Sequence, residues 1–156
     1  MLETLANGGI KFIVVGGYAA VAHGATFLTR DLDICYERSP ENLKRIATLL
    51  QEIHARLRGA PEDLPFQLDE RTLAQGMNFT FQTDYGDLDL LGELSGTGQY
   101  PDLARDAVTL RIFGKPCQVA SVSAIIRSKI AAGRPKDLVA IPELEMIRNA
   151  EKPKKP

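Results

Sequence analysis

The segment Phe12-Ile-Val-Val-Gly-Gly-Tyr-Ala-Ala, followed by Thr29-Arg-Asp-Leu-Asp-Ile34, restricts the fold more than any other part of the chain. Phe12 to Val15 is an unbroken aromatic and β-branched run, which predicts a buried strand. Gly16-Gly17 interrupts it, and the alanine-rich stretch Tyr18 to His23 predicts a short helix stopped at Gly24. Asp31-Leu-Asp-Ile-Cys-Tyr36 then alternates acid and apolar residues, the pattern of a half-buried strand. Side chains two apart on a strand share a face, so Asp31 and Asp33 point the same way, and Thr29 joins them while Arg30 points to the opposite face.

The remaining elements follow from caps and periodicity. Residues 1–10 predict a short helix ended at Asn7-Gly-Gly. Ser39 is a good N-cap with Pro40 at the first helical position, and Leu43, Ile46, Ala47, Leu50, Ile53 and Leu57 form one apolar stripe, so a helix is expected to about Leu57. Residues 58–76, with Pro61 and Pro65, are expected as loop and short helix. Asn78 to Thr83 alternates cleanly, Asp84-Tyr-Gly-Asp87 is a turn, and Leu88 to Leu94 completes a hairpin. After a connection over 97–106, Val108 to Phe113 and Cys117 to Ala120 flank Gly114-Lys-Pro116 as a second hairpin. Ser121 opens a helix to about Ala132, Gly133 ends it, and a last helix runs from Pro135 to about Ala150. The expectation is one α/β (α+β) domain over residues 1–150, a small mixed sheet flanked by helices, with residues 151–156 as a disordered charged tail.

A formal net charge of −1 gives no bulk attraction to nucleic acid or to a membrane surface, so an RNA partner would need a local basic patch. No segment approaches the ~20 consecutive apolar residues that a membrane-spanning helix requires, and Met1-Leu-Glu-Thr-Leu lacks the basic start of a secretory signal. Cys35 and Cys117 have neither metal-ligand nor disulfide spacing and are expected as small core residues, which fits a reducing cytoplasm.

Chemistry concentrates at the opening segment. Two glycines at a strand-to-helix junction let backbone approach a phosphate chain, and the helix N-terminus adds free N–H groups. Taken alone, Gly-Gly after a strand is more often just a tight turn, and an Asp pair is as often a solvated strand edge. The combination is more selective. Asp31 and Asp33 can meet one hard cation, and Asp89, on a later strand with Asp87 on the same face, supplies a third carboxylate. Three carboxylates on adjacent strands are the donor set of two-metal phosphoryl chemistry.

With Val15-Gly-Gly-Tyr-Ala, Thr29-Arg-Asp-Leu-Asp, Thr83-Asp-Tyr-Gly-Asp-Leu-Asp-Leu-Leu and Lys129-Ile-Ala-Ala-Gly-Arg-Pro-Lys-Asp-Leu in view, the chain resembles the nucleotidyltransferase superfamily, which shares its fold with DNA polymerase beta. Within it, it is most similar to small bacterial members that include the AbiEii-type toxins of toxin–antitoxin systems. The resemblance covers roughly residues 10–145. It implies Gly16 and Gly17 at the triphosphate of an NTP substrate, Asp31 and Asp33 as Mg2+ (or Mn2+) ligands, Asp89 as third catalytic carboxylate and ligand, and Thr29 and Lys129 at the nucleotide. The implied reaction moves an NMP group to an acceptor hydroxyl or phosphate on RNA such as tRNA, on a protein or on a small molecule, and a toxin would bring an antitoxin protein as partner. Tyr18 departs from the pattern, since many members carry a small or hydroxyl residue there. A non-catalytic domain of the same fold, binding nucleotide or a partner, is the alternative.

Other candidates have plainer roles. Lys129 lies on a helix whose apolar side is Ile125, Ile126 and Ile130, and Asp137 at the start of the next helix is placed to orient it or Arg134. His23 is expected to be structural and His54 to lie on the surface. The basic tail Lys152-Pro-Lys-Lys-Pro is expected to be solvated.

Overall fold

The computed structural model describes residues 1–61 and 66–151. The first half contains α1 (Leu2–Asn7), β1 (Phe12–Val15), α2 (Gly16–Ala22), β2 (Leu32–Tyr36), α3 (Pro40–Glu52) and β3 (Arg56–Leu57). There follow α4 (Glu70–Gln75), β4 (Asn78–Thr83), β5 (Gly86–Leu91), β6 (Glu93–Leu94), β7 (Gly98–Gln99) and α5 (Tyr100–Leu103). The chain closes with β8 (Val108–Ile112), β9 (Lys115–Val119), α6 (Val122–Ala132) and α7 (Pro135–Glu151). The main sheet has the order β3-β4-β5-β2-β1-β9-β8. It is mixed: β2 pairs with β5 and β1 with β9 in parallel, and the other neighbours are antiparallel.

Two registers position the site. Val15 at the end of β1 is opposite Asp33 of β2, and Asp33 is in turn beside Asp89 of β5. The central strands are apolar because both their faces are covered: Ile13, Val14, Val15, Ile34, Leu88 and Leu90 are essentially inaccessible. Cys35 and Cys117 are buried free thiols, as expected. His23 is structural, its ring nitrogens facing the Ala120 carbonyl and the Glu151 carboxylate, each at 2.9 Å. No helix among the described residues is long and apolar enough to cross a membrane.

Several boundaries differ from the sequence expectation. Helix α2 begins at Gly16, so the two glycines form its first turn rather than a turn before it. Helix α3 stops at Glu52, not near Leu57. His54 takes a left-handed backbone (φ 50°), the chain reverses, and Arg56 and Leu57 pair with Gln82 and Phe81 as an edge strand. Leu57 prolongs the helical stripe in sequence, but pairing with β4 claims it. The second strand of the first hairpin begins at Gly86 and ends at Leu91, and Glu93–Leu94 belongs to a separate two-stranded ribbon with β7. Glu151 is still helical, and the rest of the expected tail, 152–156, lies outside the described residues.

Asn42, buried in the first turn of α3, fastens this helix to the sheet. Its amide oxygen accepts from the Lys11 N–H (2.8 Å), and its NH2 donates to the Lys11 (3.0 Å) and Glu37 (2.7 Å) carbonyls. Without this side chain the Lys11 N–H and the Glu37 carbonyl lose their partners, while the Lys11 carbonyl keeps the Glu37 N–H at 3.1 Å. Asn42→Ala is therefore expected to lower stability by about 1–3 kcal/mol, read from urea denaturation midpoints. A loss below about 0.5 kcal/mol, the range of ordinary surface substitutions, would show that water replaces these bonds.

Candidate active site

Strand β1 delivers Gly16 into the space beside Asp33 of β2. A Cβ on Gly16 would lie 2.1 Å from the Asp33 Oδ2, and one on Gly17 would lie 2.4 Å from the Thr29 Oγ1. Gly16 also has φ +61°, a conformation that side chains disfavour. Only glycine at both positions lets the backbone lie this close to Asp33 and Thr29. The Gly17 backbone favours the charged form of the Asp33 carboxylate, opposing the burial that raises it.

The acids gather at the ends of β2 and β5. Asp33 and Asp89 are neighbours across the parallel pair, Asp31 immediately precedes β2, and Asp87 lies two residues before Asp89. Burial, then the charges of Asp89 and Asp31, push the Asp33 carboxyl up to about 6, against the Gly17 N–H and the more distant Arg134. Burial likewise raises Asp89, with Asp31 and Asp87 adding to it and Arg58 opposing. These groups resist carrying their charges together in the absence of a cation.

Arg58, at the end of β3, supplies positive charge here. Its guanidinium contacts Asp89 at 2.8 Å, Asp87 at 3.0 Å and Asp31 at 3.4 Å. The sequence carries no signal for this role: Arg58 falls in a proline-containing stretch expected as loop, and only the pairing of β3 with β4 brings it to the acids.

The opposite wall comes from α6 and α7. Asp137 in the first turn of α7 is buried, accepts a hydrogen bond from the Lys129 Nζ (3.1 Å), and is bonded by the Arg134 Nε. Burial alone would raise the Asp137 carboxyl, but the bonds from Arg134 and Lys129 outweigh it and hold the group below the usual range. The Lys129 ammonium also stands 5.5 Å from the centroid of the Phe27 ring. Glu143 of α7 accepts from the Thr26 N–H (2.7 Å) and hydroxyl (2.9 Å), docking the helix on the loop that leads into β2.

These walls enclose a cleft of about 810 Å³. Asp31, Asp33, Asp89, Gly16, Gly17, Thr29 and Lys129, the residues singled out from sequence, all line it, together with Arg134 and Lys136. Tyr18 lines a different, smaller cavity of about 310 Å³. As the side chains stand, no three acidic, histidine or cysteine groups among the described residues are close enough together to hold a metal ion. The donor chemistry nevertheless fits a hard divalent cation: only carboxylate oxygens are offered, and the place among Asp31, Asp87 and Asp89 already holds a cationic group.

No protein-family model matches the sequence, and no curated protein sequence is similar to it. Solved structures are similar. The lincosamide antibiotic adenylyltransferase LnuA, lincomycin-bound, superposes with a TM-score of 0.61 at 15% identity, over 94% of this chain and 92% of its own. ANT(2″)-Ia in complex with adenylyl-2″-tobramycin gives 0.57 at 16% identity, over 96% and 91%. An antigenic nucleotidyltransferase-like protein from Paracoccidioides brasiliensis gives 0.54 at 16% identity, over 99% and 74%. At such identities the likeness is one of fold. The mixed sheet and its flanking helices are those of the nucleotidyltransferase fold.

Proposed function

We propose that this protein is a metal-dependent nucleotidyltransferase, moving an NMP group from an NTP to an acceptor hydroxyl and releasing pyrophosphate. The observation that carries this reading is the register placing Asp33 beside Asp89, next to the Gly16–Gly17 turn and facing a basic wall across one cleft. In this reading the backbone at Gly16 and Gly17, with Thr29, borders the triphosphate. Lys129, fixed by Asp137, and the more exposed Arg134 offset phosphate charge from the other side. Asp31, Asp33 and Asp89 would hold Mg2+ or Mn2+, which would neutralise the triphosphate and make the acceptor hydroxyl more acidic. Asp89, beside Asp33 across the parallel pair, is the carboxylate to take the acceptor proton or to hold the second ion. The acceptor oxygen attacks the α-phosphorus, the bond to the bridging α–β oxygen breaks, and the protein acts by positioning and charge neutralisation.

For the acceptor we favour a small hydroxylated molecule. The cleft is also lined by Asn78, Glu93 and Ser95 with Leu91, Leu94 and Leu103, a mixed surface whose only charge is acidic and which suits a neutral or cationic compound better than RNA. The LnuA and ANT(2″)-Ia structures, with lincomycin and an adenylylated tobramycin, supply fold-level analogy for such acceptors. The non-catalytic alternative draws on Arg58, which occupies the acidic cluster.

Label from α-³²P-NTP, offered with Mg2+ and separately with hydroxylated small molecules, tRNA and protein, is expected to appear on a small molecule. Asp31→Ala/Asp33→Ala should lose at least about a hundredfold of that transfer. Undiminished transfer by the double variant would sink the mechanism, and label on tRNA would instead select the RNA-modifying reading. The raised Asp33 carboxyl gives a second check. With 3.8 as its ordinary value and about 6 when folded, the native state binds the extra proton between these limits, so stability falls as pH rises through them. Asp33→Asn is therefore expected to stabilise the metal-free protein by about 1–3 kcal/mol at pH 7.5, with the gain vanishing near pH 4. Thermal melts across pH measure this, and a variant no more stable than wild type at pH 7.5 would show that the acids are not under mutual strain.

A further inference from the structure

Arg58 is the charged group at the site that the transfer reaction, as proposed, leaves without a task. Its guanidinium spans Asp89 (2.8 Å), Asp87 (3.0 Å) and Asp31 (3.4 Å), so it touches two of the three carboxylates assigned to the metal. A planar fork of N–H donors can satisfy several carboxylates at once, which an ammonium cannot. The side chain springs from the end of the edge strand: the Arg58 N–H donates to the Thr80 carbonyl at 2.9 Å, and the backbone is held there. The next residue, Gly59, has φ +77° with open space where a Cβ would be. The Arg58 side chain is about one-third exposed (32%), so a path outward exists for the guanidinium while its backbone stays paired.

We propose that Arg58 is an internal counter-cation that competes with the divalent ion for Asp31 and Asp89, so that the ion enters by displacing the guanidinium. This rests on the metal-dependent reading given above. A bare ion must draw two of its carboxylates, Asp31 and Asp89, away from a guanidinium. An ion arriving with a triphosphate brings anionic oxygens that the displaced guanidinium can pair with instead. Metal affinity without nucleotide is thereby held low, and metal and nucleotide bind in mutual support. Arg58 acts on the acids rather than on the reacting atoms, as a positioning residue.

The test reads metal binding directly on the full-length chain, without turnover. Mn2+ is titrated into the protein in the absence of nucleotide, with free ion followed by electron paramagnetic resonance, and then repeated with a non-hydrolysable NTP analogue. Removing three partly exposed ion pairs should tighten nucleotide-free Mn2+ binding on the order of tenfold in Arg58→Ala. Arg58→Lys, which keeps the charge but loses the fork, should fall between. Asp87→Asn, which removes one arm of the grip, should shift affinity the same way. The last two variants decide the matter if Arg58→Ala does not fold. The gap between nucleotide-free and nucleotide-bound Mn2+ affinity should narrow in every variant that loosens Arg58. Equal or weaker Mn2+ binding in these variants overturns the role of Arg58 while leaving the metal site standing. Absence of Mn2+ binding by wild type and variants alike, with and without the analogue, overturns the metal reading itself and this proposal with it.

Discussion

Parallel pairing of β2 and β5 sets the carboxylates of Asp33 and Asp89 side by side at the mouth of a cleft, with Asp31 and Asp87 close by. Burial itself, and after it the charges of the neighbouring acids, makes both Asp33 and Asp89 harder to ionise. Everything around them answers that charge. The Gly17 backbone favours the Asp33 carboxylate, the guanidinium of Arg58 joins Asp31, Asp87 and Asp89, and a basic wall faces them across the cleft. A fold seeking stability alone would place apolar residues here. Clustered, partly buried carboxylates with raised pKa values are the kind of feature that singles out a candidate functional site.

The two walls of the cleft are held by different means. On the acid side, position comes from backbone pairing, since each carboxylate rides on a strand whose neighbours are fixed by ladder bonds. The glycines allow that wall to close: with any side chain at Gly16, Asp33 would have to move. On the basic side, position comes from a buried ion-pair network. Asp137, almost inaccessible, holds Lys129 and Arg134, and α7 itself is docked by Glu143 on Thr26 and by Glu151 on His23. The first wall is rigid by topology and the second by electrostatics, so the second is the one more open to adjustment when a charged ligand arrives.

Sharing a fold with antibiotic adenylyltransferases does not by itself assign chemistry, because function resides in the side chains placed on a scaffold. In this chain the two glycines, the acids and the basic wall line one cleft. Arg58 reaches into the acids from an edge strand and joins that arrangement.

What could be read from the sequence alone was whatever depends on local periodicity. The apolar run Phe12–Val15, the alternation through Asp33, the Ser39 and Ser121 caps and the Asn78–Thr83 alternation each identify an element, and the structure has all of them close to the expected places. The i, i+2 spacing also shows that Asp31 and Asp33 share a face, as Asp87 and Asp89 do. Tertiary structure decided what depends on distant partners. Leu57 continues a helical stripe in sequence, yet β4 offers it a strand, and a single left-handed residue, His54, makes the exchange. The same edge pairing sends Arg58 into the acidic cluster, which no local pattern encodes. The meeting of Asp33 with Asp89 is equally a matter of register between strands separated by α3, β3, α4 and β4, and sequence spacing cannot supply a register because it is set by the sheet as a whole.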